Sequence, residues 1–245
     1  MRKSDDMKTI KIDKYYKHMI AHRGLSGIET ENTVFSYLAA ANHSYMGISC
    51  DLYASKDDKL VLTSEISLLK FGLLNLDIKS FNYDELVKYA LVDRKTENLN
   101  QFLYIPQLRD FLSICKAYEK KAIITIHTTL SHHLLSDLVR EVNEYYEMDQ
   151  CLFLIENKHQ VEYLIDYVDS KQLFYHHKHL SQSEFEFSHK HQVNVFVHQH
   201  VLQKDYVKQS HLIGLEVLTG VINDKETAEK AVKMDVDYIL TNILE

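Results

Sequence analysis

The chain has 245 residues, 45% of them hydrophobic and 26% charged, with a formal net charge of −7. That length suits one large α/β domain with a sizeable core. The acidic balance argues against nucleic acid or an anionic membrane as partner, although fifteen histidines soften it at mildly acid pH.

Cys50, Cys115 and Cys151 lie far apart and form neither a zinc spacing nor a disulfide framework, which favours a reducing, cytoplasmic setting. The start, Met1 to Lys17, is polar, so no signal peptide is expected, and no apolar run reaches the length of a membrane span.

In chain order, a short apolar run, Met19–Ala21, reads as the first buried strand, and Asn32 reads as the N-cap of a helix over Thr33–Asn42. Val34, Leu38 and Ala41 fall at helical spacing on its core face. Lys59–Leu62 reads as a second buried parallel strand. The stretch 66–98 lacks a clear strand and reads as an insertion over the barrel mouth. Pro106, the single proline, opens a helix over Gln107–Glu119. Ile123–Ile126, a helix over Leu134–Tyr146, Cys151–Ile155 and a helix over Gln160–Asp166 follow. Leu173–Tyr175, Val193–Val197 and Glu216–Leu218 add three strands. Asp224 caps a helix over Lys225–Lys233, and Tyr238–Leu240 is the last strand. Eight strand runs alternating with helices favour a closed (β/α)8 TIM barrel in one domain over 1–245, with the insertion after the third strand. No glycine-rich phosphate loop follows the first strand, which weakens an open, doubly wound sheet.

Five ordered blocks carry chemistry. They are His22-Arg23-Gly24 with Glu31-Asn32-Thr33, then Ser49-Cys50-Asp51, Ser64-Glu65, Ile105-Pro106-Gln107-Leu108 with Thr125-Ile126-His127, and Val221-Ile222-Asn223-Asp224 with Thr241-Asn242. Ser67-Leu68-Leu69-Lys70 and Phe81–Leu86 add an insertion between the third and fourth. Together these blocks resemble the glycerophosphodiester phosphodiesterase family over nearly the whole chain. The resemblance implies a TIM barrel that hydrolyses a glycerol phosphodiester to glycerol phosphate and an alcohol. In such enzymes three carboxylates hold a divalent cation, Mg²⁺ or Ca²⁺, that neutralises the phosphate. One histidine assists attack and another protonates the leaving alkoxide, while an arginine grips the phosphate.

By that resemblance His22 is the first catalytic histidine, Arg23 the phosphate clamp and Asp51 a metal ligand. Ser49 and Thr125 stand in the slots of the two Glu ligands, and Ser64 in the slot of the second histidine. His127 replaces a phosphate-facing lysine, Gly220 a late tryptophan, and Asn242 a terminal aspartate. Ligand charge thus falls from about −3 to −1, which weakens a hard cation's hold. Loss of a positioned general acid alone costs roughly 10²- to 10⁴-fold.

The reading is therefore a family member with degraded metal and acid positions that binds a small phosphoester, with little or no hydrolysis. One alternative is a working diester hydrolase through relocated ligands. Strand alternation puts Ser49 with Asp51 and Thr125 with His127 on shared faces, so His22, Asp51 and His127 would meet at the barrel mouth. Such a set suits Zn²⁺ or Mn²⁺. Glu65 is a weaker substitute acid, because its strand parity points away. A second alternative is a non-catalytic interaction module. The bland readings stand beside these: Asp51 as a buried partner of Arg23, and His132-His133, His176–His179, His189, His191, His198 and His200 as surface or loop histidines.

Overall fold

Eight parallel strands close on one another around the chain's most apolar runs. In the computed structural model the described residues are 8–12, 16, 18–64 and 77–245, and the structural statements below concern these. The barrel strands are β1 (Met19–Ala21), β2 (Gly47–Ala54), β6 (Lys121–Ile126), β7 (Cys151–Ile155), β8 (Leu173–His177), β9 (Asn194–His198), β10 (Val217–Gly220) and β11 (Tyr238–Thr241). They pair in that order, and β11 closes on β1 through Met19↔Ile239 and Ala21↔Thr241. This is the expected TIM barrel.

Alternation along each strand sorts side chains into two cores. Ile20, Ile123, Leu152, Leu154, Phe174, Leu218 and Leu240 fill the barrel. Their neighbours, such as Cys50, Ile124 and Phe153, point outward to the helices. Those helices are α1 (Val34–Ala41), α3 (Leu108–Ala117), α4 (His132–Tyr145), α5 (Lys158–Leu164), α6 (Gln182–His191), α7 (Lys204–Leu212) and α8 (Lys225–Lys233). No helix among the described residues is long and apolar enough to cross a membrane.

The structure corrects four expectations. The Lys59–Leu62 run forms β3 (Leu60–Leu62), which pairs antiparallel with the far end of β2 rather than joining the barrel. Gly47–Ala54 takes that barrel place. Both strands are buried along their length, so composition cannot tell them apart. Second, Thr33 and not Asn32 caps α1, through a box with Ser36, while Asn32 sits at φ 51°. Third, that cap sets the helix phase so that Ser36, Tyr37, Ala40 and Ala41 are buried; Leu38 and Phe35 are exposed. Fourth, α6 and α7 lie in polar stretches where no helix is expected from apolar spacing.

Of the expected insertion, Glu65 and 66–76, including Ser67–Lys70, lie outside the described residues. From residue 77 on it holds α2 (Tyr83–Leu86) and a two-stranded ladder, β4 (Leu91–Val92) with β5 (Leu99–Asn100). Its core of Ile78, Leu86, Leu91, Leu103 and Ile105 packs on Tyr53 and Val61 of β2 and β3. It also reaches the loop before α1, where the Arg94 amide donates to Thr30 Oγ1 at 2.9 Å.

Candidate functional site

The C-terminal end of β1 turns sharply at His22-Arg23-Gly24, with Arg23 at φ 58° and Gly24 at φ 75°. Left-handed backbone at an arginine is costly and needs support. Here the Arg23 amide donates to Ser49 Oγ at 3.0 Å, and its carbonyl accepts from Ser36 Oγ and the Asn32 amide. Gly24 is required because a Cβ there would lie 2.4 Å from Ser36 Oγ. The turn fixes Arg23 against the top of β2.

On β2, Asp51 is fully buried and both its carboxylate oxygens are engaged. Arg23 Nε lies 2.6 Å from Oδ2, and His127 Nε2, just past β6, lies 3.2 Å from Oδ1. Asn32 Nδ2 also donates to Oδ2, at 3.4 Å. Burial alone would raise the Asp51 carboxyl; the hydrogen bond from His127 and the charge of Arg23 outweigh it and hold it below the usual range. The network spreads both ways. Arg23 Nη1 reaches Glu31 Oε2 at 3.2 Å, and Ser64 Oγ donates to Glu31 Oε1 at 2.6 Å. His127 Nδ1 meets Glu156 Oε1 at 2.8 Å, and Glu156 accepts from Lys178 Nζ at 2.6 Å. Burial opposes a charge on His127, but its hydrogen bonds to Asp51 and Glu156 raise it to about 9. The hydrogen bond from His127, and after it the one from Lys178, brings Glu156 down to about 2 against the effect of burial.

His22 is held differently. Its Nδ1 bonds Asn242 Oδ1 at 2.9 Å, an oxygen that also accepts from Ser26 Oγ at 3.0 Å. An amide oxygen accepts only, so Nδ1 carries the proton and Nε2 is the basic nitrogen. Burial, then the charge of Arg23, lowers its pKa and keeps the ring neutral.

These groups border a cavity of about 190 Å³ at the barrel mouth, lined by His22, Arg23, Asp51, Thr125, His127 and Glu156 on one side. The other side is Leu154, Ile155, His176, Phe196, His198, Gly220, Val221 and Leu240. His176 packs its ring 4.7 Å from Phe196, and burial lowers it to about 4, so it too is neutral.

The structure thus brings together His22, Asp51 and His127, the three expected to meet at the mouth, and places Arg23 and Thr125 beside them. Ser49 lies beneath it as the acceptor for the Arg23 turn, and Ser64 beside it as the donor to Glu31. Asp51 is the buried partner of Arg23, one of the bland readings. His176 corrects another, the reading as a surface or loop histidine: it is a part-buried residue of β8 that lines the mouth, and His198, exposed at the end of β9, lines it too. Glu31, Asn32 and Asn242, which lie in the motif blocks without an assigned site role, join the network, and so does Glu156, which lies in none of them. Glu156 and His176 had a signal, since each stands two residues past an inward Leu154 or Phe174 on its strand.

The donors do not fit a divalent cation. Each Asp51 oxygen already faces a cationic side chain, Ser49 Oγ is used by a backbone amide, and His22 turns Nδ1 to Asn242. Among the described residues, no three His, Cys, Asp or Glu side chains are grouped to hold a metal ion.

Solved structures share this architecture. A phosphodiesterase of Oleispira antarctica, in complex with the product sn-glycerol-3-phosphate, superposes with a TM-score of 0.85 at 19% identity, over 95% of this chain and 96% of that one. A glycerophosphodiester phosphodiesterase of Parabacteroides distasonis does so with a TM-score of 0.75 at 21% identity, over 96% and 94%. An uncharacterized protein of Mycoplasma genitalium is 28% identical over 155 residues, which span 60% of this chain and 62% of that protein. The sequence profile of the Glycerophosphoryl diester phosphodiesterase family matches residues 22–245, from the first site histidine to the last residue, and the chain belongs to that family.

Proposed function

We propose that the barrel mouth binds a small phosphoester and has lost the cation-dependent hydrolysis of its family. The observation that supports this is the occupation of both Asp51 oxygens by Arg23 and His127. Charge that a metal ion would bring to a phosphate is carried instead by a guanidinium and an imidazolium, both of which border the cavity. His22 offers Nε2 to a ligand hydroxyl or phosphate oxygen. The Ser64 hydroxyl, in the slot of the missing histidine, is committed to Glu31 and is no acid for a leaving alkoxide. The three cysteines are buried and free, in keeping with the cytoplasm as the compartment.

The test pairs turnover with binding. Hydrolysis of glycerophosphocholine and of a chromogenic diester is measured with Mg²⁺, Ca²⁺, Mn²⁺ or Zn²⁺ against a His22→Ala control. In parallel, sn-glycerol 3-phosphate is titrated calorimetrically in EDTA. The expected result is binding in EDTA with no metal-dependent turnover above the control. Metal-dependent turnover that disappears in His22→Ala would overturn the proposal in favour of a hydrolase with relocated ligands. Absence of both turnover and binding would leave the interaction module.

A further inference from the structure

In an eight-stranded ring, β9 stands four strands from β2 and so faces it across the mouth. Asp51 lies near the end of β2, and Phe196 occupies an inward position of β9. The mouth is therefore divided. The half from β1 to β6 carries Arg23, Asp51 and His127, and the half from β7 to β11 is mostly apolar, with Glu156, His176 and His198 as its polar side chains. Leu154, Ile155, Val221 and Leu240 flank Phe196 there, with the His176 ring tilted against it at 4.7 Å. Phe196 is only partly buried, so its ring remains in contact with the cavity.

We infer that the group esterified to the phosphate lies on the Phe196 wall and is aromatic or alkyl, not a polyol. This rests on the phosphoester reading above. A phosphate drawn to Arg23 and His127 directs its ester oxygen away from those charges, across the cavity toward β9. A polyol arriving there meets mostly apolar side chains, with the His176 and His198 rings as its few polar neighbours, and a hydroxyl desolvated without a partner is penalised. An aryl or alkyl group loses nothing on leaving water and gains contact with the Phe196 ring. The cavity of about 190 Å³ is of a size for one small ligand. Gly220 helps keep this wall open: a Cβ on it would come 2.6 Å from Leu240 Cβ, so a larger residue would push the wall inward.

The experiment is calorimetric titration in EDTA with phenyl phosphate, sn-glycerol 3-phosphate and inorganic phosphate, on the wild-type chain and Phe196→Ala. Phenyl phosphate is expected to bind on the order of tenfold tighter than glycerol 3-phosphate, the ring's apolar area making the difference. Phe196→Ala should collapse that ratio toward one. Phe196→Leu, which keeps an apolar side chain in place should the alanine variant not fold, is expected to lower the ratio about threefold. Equal or weaker binding of phenyl phosphate by the wild type, with glycerol 3-phosphate still bound, overturns this inference alone. A ratio unchanged in both variants also overturns it. Failure of all three ligands to bind overturns the phosphoester reading, and this inference with it.

Discussion

At the scale of single residues, the site is governed by one buried carboxylate. Asp51 has almost no solvent contact, so its charge depends on Arg23 and His127. Removing one partner of such a pair leaves the other uncompensated. Arg23→Met should therefore destabilise the fold by about 3 kcal/mol in urea denaturation, and adding Asp51→Asn should recover most of that loss. A double variant no more stable than the single one would show that Arg23 acts through packing and not charge. His127 gives a pH test. Its pKa in the fold is raised from 6.5 to about 9, so its contribution is complete below pH 6.5 and fades as pH climbs to 9. The melting-temperature gap between wild type and His127→Asn should be widest below pH 6.5 and close above pH 9. His22, Arg23, Asp51, Thr125 and His127 were legible in the sequence, because the motif blocks and strand parity place them on one face. Glu31 and Asn32 stand in a motif block, but their contacts with Arg23 and Asp51 were not legible, because a left-handed turn at Asn32 presents them and only packing reveals it. Glu156 and His176 were within reach of parity, but their own stretches match no motif block.

At the scale of elements, the chain's alternation of strands and helices was readable, while partner and phase were not. β3 has the buried composition of a barrel strand and yet pairs antiparallel with β2, a choice made by the short turn between them. α6 escapes apolar periodicity because a capping box at Ser181 and Glu184 defines its start. What fastens it to the barrel is polar as well. His177 of β8 is fully buried, with Nε2 2.8 Å from Ser188 Oγ of α6 and Nδ1 bonded to Tyr206 Oη of α7. Burial lowers its pKa from 6.5 to about 4. Unfolding therefore takes up a proton between those values, so stability falls as pH drops through that window, by about 1.4 kcal/mol per unit from this residue. Denaturation midpoints of His177→Gln should fall less steeply than wild type from pH 6.5 to 4. Parallel slopes would place the acid sensitivity elsewhere.

At the scale of the whole molecule, stability and chemistry rest on different residues. The barrel is held by two apolar cores to which the charged side chains of the mouth do not belong, so the mouth can change charge while the fold persists. Reversing those changes is then a test of the molecule as a scaffold. Ser49→Glu, Ser64→His and Thr125→Glu together restore the residues that the family resemblance places in those slots. In this fold Ser49 is fully buried beside Asp51, and Thr125 lies on the neighbouring strand in register with Asp51. The triple change therefore gathers three carboxylates beside the positive charges of Arg23 and His127. Without a cation this repulsion is destabilising, and the variant should melt below wild type in EDTA. A divalent ion would relieve it, and at a concentration a hundred times its Kd should return about 2.7 kcal/mol. Thermal melts with Mg²⁺, Ca²⁺ or EDTA should then show a large cation-dependent rise for the triple variant and none for wild type, together with gained hydrolysis of glycerophosphocholine. A cation-dependent rise without hydrolysis would mean that Arg23, still paired to Asp51 and Glu31, no longer reaches the phosphate. No rise at all would mean that the three positions do not converge on one ion, and the correspondence drawn from the motif blocks would fall.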